Sequence, residues 1–413
     1  MAVRRVVVVG AGAVGLSAAW FLQEHDVEVS VLDRAGVAAD ASWGNAGWLA
    51  PALTLPLPSP EVLRYGMRSM FTPSSPVYVP PTTDLRLARF LLGFARHCTA
   101  RQWQSTMAVF AQLNRRALDA YDDLAHGGRV AETTRTADPF LAAFTSDSDR
   151  DHLVAELEQA RAAGSDIEYD LLDGTTTRSL EPLLGEAIGA GVRIRGQRYI
   201  DPPRFADALA TSVRERGGEI VTGFDAVEVR DTGGGVVARA ADGDERAADA
   251  VVLATGARLN ALARPFGVRT PVQAGRGYSF SVLPVTLPKN PIYFPAQRVA
   301  CTPLHDRFRV AGMMEFRNPD TPLDPRRVRA IVDATRPLLR GVDWEARREE
   351  WVGSRPCSVD GLPLVGATRS KRVFVAGGHG MWGIALGPTT GRMLANAITG
   401  QPDPLLKCLD PLR

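Results

Sequence analysis

Gly10-Ala11-Gly12-Ala13-Val14-Gly15 spaces three glycines so that a chain can turn sharply and lay backbone against a phosphate. Gly10 permits the tight turn, Gly12 lets main chain approach a pyrophosphate, and Gly15 lets a helix sit close to a strand. N–H groups of the helix start that follows have no intrahelical partner, so they face an anion, and Ala13 and Val14 join the expected contacts. Asp33 stands eighteen residues past Gly15, where a carboxylate can accept both hydroxyls of a ribose. An acid at this place favours an adenosine with no 2′-phosphate, although Arg34 beside it pulls the other way. The hexapeptide alone could be a glycine-rich turn without a ligand. Strand, turn, helix, strand and acid together specify a dinucleotide.

The hexapeptide does not separate a nicotinamide from a flavin dinucleotide, and three further segments bear on that choice. Ser42-Trp43-Gly44-Asn45-Ala46-Gly47, with Trp48 behind it, is a second turn of small residues. Ala254-Thr255-Gly256 ends an apolar run. Gly377-Gly378-His379-Gly380-Met381, followed by Gly383-Ile384, is a third glycine cluster. The helix start expected after it would favour negative charge collecting on a reduced ring. Three separated glycine turns suit a long, extended cofactor.

These residues need elements to carry them. Arg4–Val9 is a continuous valine-rich run, as in a strand buried on both faces of a parallel sheet. A helix pattern from Ser17 to Glu24 and a second β-branched run, Val27–Leu32, complete a β-α-β unit. The uncharged run from Val6 to Gln23 behind Arg4-Arg5 has the outline of a targeting segment, but its glycine spacing belongs to structure rather than to an address. Thr54–Thr83, rich in Pro and Ser, reads as irregular. Leu85–Cys98 is amphipathic, with Leu87, Leu91 and Phe94 on one face that meets either the core or a membrane. Gln102–Leu124 predicts one long helix, and Asp149–Ala163 another, closed by Gly164. Asp201-Pro202-Pro203 opens a helix that ends at Gly217-Gly218. Strand patterns follow at Glu219–Arg230, Val236–Ala240 and Asp249–Ala254, and a β-like stretch with proline turns runs from Val272 to Met314. A helix starts at Asp324-Pro325. Val373–Ala376 is a last buried strand, leading through the glycine cluster into a final helix stopped by Gly400. Nucleotide-fold elements thus stand at the start, middle and end, with other material inserted twice.

At 413 residues, 45% hydrophobic and 23% charged, the chain has the composition of an ordinary soluble globular protein of two or three domains, with a core that needs no staples. Net charge is +2, and all but three of the 48 basic residues are arginine. They are scattered among acids, which argues against nucleic-acid binding. Cys98, Cys301, Cys357 and Cys408 lie far apart with no C-x-x-C pair, pointing to a reducing cytoplasm and away from a zinc site or disulfide framework. No metal is expected. Apart from that first uncharged stretch, no run reaches the roughly 20 apolar residues of a spanning helix.

Across essentially its whole length, the sequence resembles the flavin-dependent D-amino acid dehydrogenases and the wider D-amino-acid, glycine and sarcosine oxidase superfamily. The residues carrying the resemblance are the first β-α-β unit, the Ser42…Gly47 turn, His97-Cys98-Thr99-Ala100-Arg101, Asp201-Pro202, and Ala254-Thr255-Gly256. They continue through Arg309-Val310-Ala311-Gly312-Met313-Met314-Glu315, Gly353-Ser354-Arg355-Pro356, Asp360-Gly361-Leu362-Pro363, and Gly378-His379-Gly380…Gly383…Gly391. The resemblance implies a Rossmann-like FAD-binding α/β domain (1–50, 197–262 and 346–413) interrupted by an α+β substrate domain on a mixed sheet (51–196 and 263–345). It implies non-covalent FAD, because Cys357 does not match the spacing at which some relatives attach the flavin. Val227 joins the expected cofactor contacts.

The implied chemistry is hydride transfer from the α-carbon of an amino acid, entering as the neutral amine, to FAD N5. The resulting imine hydrolyses to a 2-oxo acid. Arg355 matches the relatives' carboxylate-binding arginine, and a planar guanidinium is the bidentate partner a carboxylate needs. It stands beside an expected Pro-flanked turn. Tyr278 and Tyr293 fall where relatives place tyrosines over the substrate, each as readily explained by sheet packing. His379 and Trp48 are candidate ring-facing residues. Implied partners are an amino acid and an electron acceptor, quinone or O2, with a peripheral membrane contact on the cytoplasmic face if quinone. Competing readings are an oxidase or dehydrogenase of glycine, sarcosine or a cyclic imino acid, an NAD(P)-dependent reductase, and a non-catalytic FAD-binding subunit.

Overall fold

The computed structural model describes residues 3–69, 72, 74–81 and 83–413. A six-stranded sheet takes Glu219–Thr222, Glu28–Asp33, Arg5–Val9, Ala250–Leu253, Val373–Gly377 and Leu364–Ala367 in that order. The first five run parallel and the last antiparallel. The valine run explains itself here. Val6 and Val8 enter the core under helices Ala13–Gln23, Pro202–Glu215 and Gly383–Ile398. Val7 and Val9 enter a second core under the three-stranded meander Ala226–Asp231, Val236–Ala240 and Glu245–Ala248. Both faces are covered, so the strand has no polar side.

The second body is a nine-stranded mixed sheet. Its path runs Arg348–Ser358, Val272–Val282, Arg307–Phe316, Val299–Leu304, Ile292–Phe294, Phe140–Phe144, Ala190–Ile194 and Tyr169–Asp173, and Val77–Tyr78 is added beside Arg307–Phe316. Helix Pro325–Thr335 covers one face, with Val328 and Ile331 buried. Helix Leu85–His97 packs Leu87, Phe90 and Phe94 against Met314, Phe316 and Cys357. The apolar stripe expected on that helix therefore faces the core.

Four expectations need correction. Gln102–Leu124 is two helices, Ala100–Asn114 and Ala117–Ala125. Asn114 spends its side chain on the Pro51 and Thr54 carbonyls, both at 3.0 Å, and Arg116 pairs with Asp403, so tertiary partners outbid helix continuity. Thr54–Thr83 contains helix Pro60–Ser69, whose Val62 N–H is accepted by Ser59 Oγ, and the short strand Val77–Tyr78. Residues 70, 71, 73 and 82 of that stretch lie outside the described residues. The segment around Arg355 is no turn but part of the eleven-residue strand Arg348–Ser358. That strand sits at a sheet edge, where Pro356 is tolerated. The same pairing carries it into the nine-stranded sheet, across the boundary expected at residue 346.

Candidate functional site

Between the two bodies lies a cleft of about 430 Å³. The carboxyl ends of the parallel strands open into it, the usual ligand position in such sheets. Of the residues singled out in the sequence, Gly10, Gly12, Ala13, Val14, Asp33, Arg34, Ser42 and Asn45 line it, as do Val227, Thr255, Gly256, His379, Gly380, Met381, Gly383, Ile384 and Arg355. The remaining candidates stand around it. Gly15 packs the first helix on the turn: a Cβ there would lie 2.0 Å from the Gly10 carbonyl oxygen. Gly47 accepts the Ile200 N–H at 2.9 Å, Ala46 precedes it, and Gly378 packs beside Leu364.

Asp33 holds the turn together before it holds any ligand. Oδ2 accepts the Ala11 N–H at 2.8 Å, and Oδ1 accepts the Ala35 and Gly36 N–H groups at 2.8 and 2.9 Å. Its remaining lone pairs stay available for hydroxyl donors. Ser42 Oγ accepts the Ala13 N–H at 3.0 Å, joining the second small-residue turn to the first helix.

Arg355, also in the lining, is half-buried. Nη1 donates to the Met313 carbonyl at 2.7 Å. No carboxylate lies within 4.0 Å of it among the described residues. Burial pulls the guanidinium below its usual range, yet it stays charged. A desolvated cation with no counter-charge is costly to hold and offers a strong site for an anion. Glycine makes the room: a Cβ on Gly277, across the strand pair, would sit 2.1 Å from Nη2.

His379 is 2% exposed, and its Nε2 meets Thr390 Oγ1 at 2.9 Å. Thr390 spends its hydroxyl proton on the Leu386 carbonyl at 3.0 Å, so Nε2 carries the imidazole proton and donates it. Nδ1 is a bare, buried acceptor with no partner among the described residues. Desolvation lowers this histidine to about 4, so the ring is neutral at physiological pH. Its backbone pairs with Cys357, tying the glycine cluster to the Arg355 strand.

Tyr278, Tyr293 and Trp48 do not line the cleft. Tyr278 is fully buried and donates to Glu315 Oε2 at 2.6 Å, beside Arg276. Burial pushes its phenol above the ordinary range. Trp48 donates from Nε1 to Thr302 Oγ1 at 2.9 Å and meets Tyr293 edge to face at 5.1 Å. Residues the sequence reading missed include Asp40, Arg258, Ser354 and Pro356, all in the lining. Ser354 and Pro356 flank Arg355 and were legible from it; nothing in the spacing of Asp40 or Arg258 marks either.

Among the described residues, Cys98, Cys301, Cys357 and Cys408 are free thiols, no group of three or more His, Cys, Asp or Glu could hold a metal, and no helix is long and apolar enough to cross a membrane.

The chain matches the family described as DAO, FAD dependent oxidoreductase, over residues 5–397. It is 31% identical over 404 residues to a D-amino acid dehydrogenase of Cereibacter sphaeroides, covering 96% of this chain and 92% of the relative. It is 30% identical over 409 residues to one of Xylella fastidiosa, with the same coverage. Among solved structures, iminodiacetate oxidase from a Chelativorans species is similar with a TM-score of 0.73 at 19% identity, covering 97% of this chain and 96% of the other. Glycine oxidase from Geobacillus kaustophilus gives a TM-score of 0.72 at 21% identity, covering 99% of each. At these identities the two structures speak for the fold.

Proposed function

This chain belongs to the DAO family of FAD-dependent oxidoreductases, and on that footing we propose that it is a dehydrogenase of amino acids, most simply D-amino acids. The chain's relatives at about 30% identity carry that name.

The residues of the cleft suit FAD. Gly256 and Gly380 line it with no atom within 4 Å of where a Cβ would stand, and Gly12 meets only Ser42 Oγ at 3.4 Å, so side chains at these places would fill the cradle. In this assignment the Gly10–Gly15 turn and the start of helix Ala13–Gln23 hold the pyrophosphate, and Asp33 takes the adenosine ribose with Arg34 and Val227 nearby. Ser42, Asn45, Thr255, Gly256, Gly380, Met381, Gly383 and Ile384 enclose the remainder, without a covalent link. When bound, FAD supplies a two-electron acceptor for the hydride leaving the substrate α-carbon.

Arg355 binds the substrate carboxylate through the N–H groups that Met313 leaves unused. That contact fixes the α-C–H direction, and positioning of this kind is worth up to about 7–11 kcal/mol of a barrier. The substrate enters as the neutral amine, loses hydride from carbon and a proton from nitrogen to water, and leaves as an imine for water to hydrolyse to a 2-oxo acid and ammonia. His379, neutral and donating to Thr390, holds the glycine turn and moves no proton.

The observation that carries the reading is Arg355: a half-buried guanidinium lining the cleft, with no carboxylate within 4.0 Å of it among the described residues. The test is anaerobic bleaching of the yellow protein with D- and L-amino acids, including glycine, sarcosine and proline. Bleaching by D-amino acids is expected. Bleaching only by secondary amines moves the assignment to the imino-acid oxidases, and no bleaching by any of them rejects it.

For the electron acceptor, the outer face of helix Leu85–His97 favours a quinone over O2. Leu85 and Leu92 are 83% and 55% exposed. Arg86, Arg89 and Arg96 are exposed beside them with no carboxylate within 4.0 Å among the described residues. An apolar and cationic face of this kind suits an anionic membrane surface. Faster reoxidation by a soluble quinone analogue than by air is expected; the reverse order assigns O2.

A further inference from the structure

The strand Arg307–Phe316 contains the segment Arg309-Val310-Ala311-Gly312-Met313-Met314-Glu315 and runs through the middle of the nine-stranded sheet. Arg309 is fully buried, at 0% exposure. Its Nη1 donates to the Trp43 carbonyl at 2.8 Å, its Nη2 to Glu349 Oε2 at 2.9 Å, and its guanidinium lies 4.9 Å from the centre of the Trp43 ring. On the neighbouring strand, Ser279 donates from Oγ to the Gly44 carbonyl at 2.9 Å. On the strand beyond, the Ser354 N–H donates to Asp40 Oδ1 at 2.9 Å. Three strands of one sheet therefore grip residues 40–44.

The same segment lines the cleft through Asp40, Ala41 and Ser42. Ser42 lines it and accepts the Ala13 N–H, the first of the helix whose start closes the glycine turn. Glu349, which compensates Arg309, is itself held by Ser281 at 2.7 Å and Arg307 at 3.0 Å, with its backbone at φ +55°. A fully buried guanidinium is costly to desolvate even when, as here, its carboxylate partner keeps a side chain 33% exposed, and a left-handed non-glycine residue persists only where its surroundings over-determine it. Both features mark a place where geometry is being kept.

We propose that Arg309 is a positioning residue for the cofactor: from inside the second sheet it sets the Ser42 turn against the first helix, so that FAD affinity depends on it. This rests on the cofactor reading of the cleft given above.

The experiment titrates the apo form of the full chain with FAD, following quenching of flavin fluorescence, for the wild type, Arg309→Lys, Ser42→Ala and the double variant. Lysine keeps the charge and cannot reach both partners. Each single substitution is expected to raise the Kd about tenfold, as loss of one or two hydrogen bonds does. The double variant should be no weaker than the worse single, because both act through one turn. Benzoate, read by its perturbation of the flavin spectrum at saturating FAD, should bind Arg309→Lys within about twofold of the wild type, since Arg355 is untouched. Wild-type FAD affinity in Arg309→Lys, or single effects that multiply in the double variant, overturns the proposal. So does a fall in Tm of the apo form with the Kd unmoved, which would mark a purely structural arginine. If Arg309→Lys does not fold, Ser279→Ala removes the neighbouring anchor at Gly44 and should raise the FAD Kd about threefold; an unchanged value there also overturns the proposal. A wild type that binds no FAD rejects the cofactor reading itself, whereas FAD binding without any benzoate perturbation rejects only the carboxylate role of Arg355.

Discussion

Met313 holds its carbonyl oxygen 2.7 Å from Arg355 Nη1 while its own backbone sits at φ +67°. A non-glycine residue in that region costs about 1–2 kcal/mol. The strain sits in a central strand paired on both sides, next to the register shift between Arg276 and Tyr278. One donor of the guanidinium is thereby fixed to the main chain, and the rest of the fork meets no carboxylate within 4.0 Å among the described residues.

Arg355→Ala should leave the protein yellow while raising KM for a carboxylate substrate about ten- to hundredfold, the worth of hydrogen bonds to a charged group. Arg355→Lys should recover only part, because an ammonium cannot reproduce the planar fork. Steady-state kinetics with the best substrate of the bleaching panel decides, and an unchanged KM in the alanine variant removes Arg355 from the site.

Two glycines of the first turn should fail differently. A Cβ on Gly10 would lie 2.4 Å from the Ala254 carbonyl oxygen, at a backbone φ of +117°. Gly10→Ala should therefore lower the stability of the apo protein by several kcal/mol, or prevent folding. Gly12 meets only Ser42 Oγ at 3.4 Å, so Gly12→Ala should fold with a near-normal apo Tm and lose FAD affinity. Thermal melts and flavin titration of both variants separate the effects.

Asp33 is asked to do two things, and Asp33→Asn divides them. Its carboxylate accepts three backbone N–H groups and keeps capacity for hydroxyls. Asparagine retains one acceptor oxygen and no charge. We expect an apo Tm lowered by a few degrees and an FAD affinity reduced about tenfold or more. Flavin content after gel filtration reads the second effect directly.

His379 should make stability fall in acid. Desolvation lowers its pKa from 6.5 to about 4 in the folded protein, so the unfolded chain binds the extra proton between those values. Stability from this group is therefore fully present above about pH 6.5 and is lost as pH falls towards 4, by up to about 3 kcal/mol. His379→Gln should flatten the dependence of Tm on pH across that window. An equal slope in wild type and variant would show that other groups set it.

The first β-α-β unit was legible from the chain because its signals are local. Valines on both faces, glycines at turn spacing and an acid at the second strand's end lie within about thirty residues, and backbone sterics and hydrogen bonding act at that range. The helix starts at Asp201-Pro202 and Asp324-Pro325 were legible for the same reason. What long-range pairing decides was not. The Arg355 segment, with Gly353 and Pro356, has the composition of a turn, and only pairing with Val272–Val282 makes it a strand. The break at Asn114 depends on carbonyls sixty residues away. Tyr278 carries no local sign that Glu315 claims its hydroxyl. Arg309 was one arginine among many until the sheet brought Trp43 and Glu349 to it. The sequence by itself determined the glycine turns and the acid that can meet a dinucleotide, since φ preferences and carboxylate chemistry belong to single residues. Which charges meet a partner and which are left facing the cleft was decided by the fold, because burial and Coulomb energy depend on neighbours that only tertiary contact supplies.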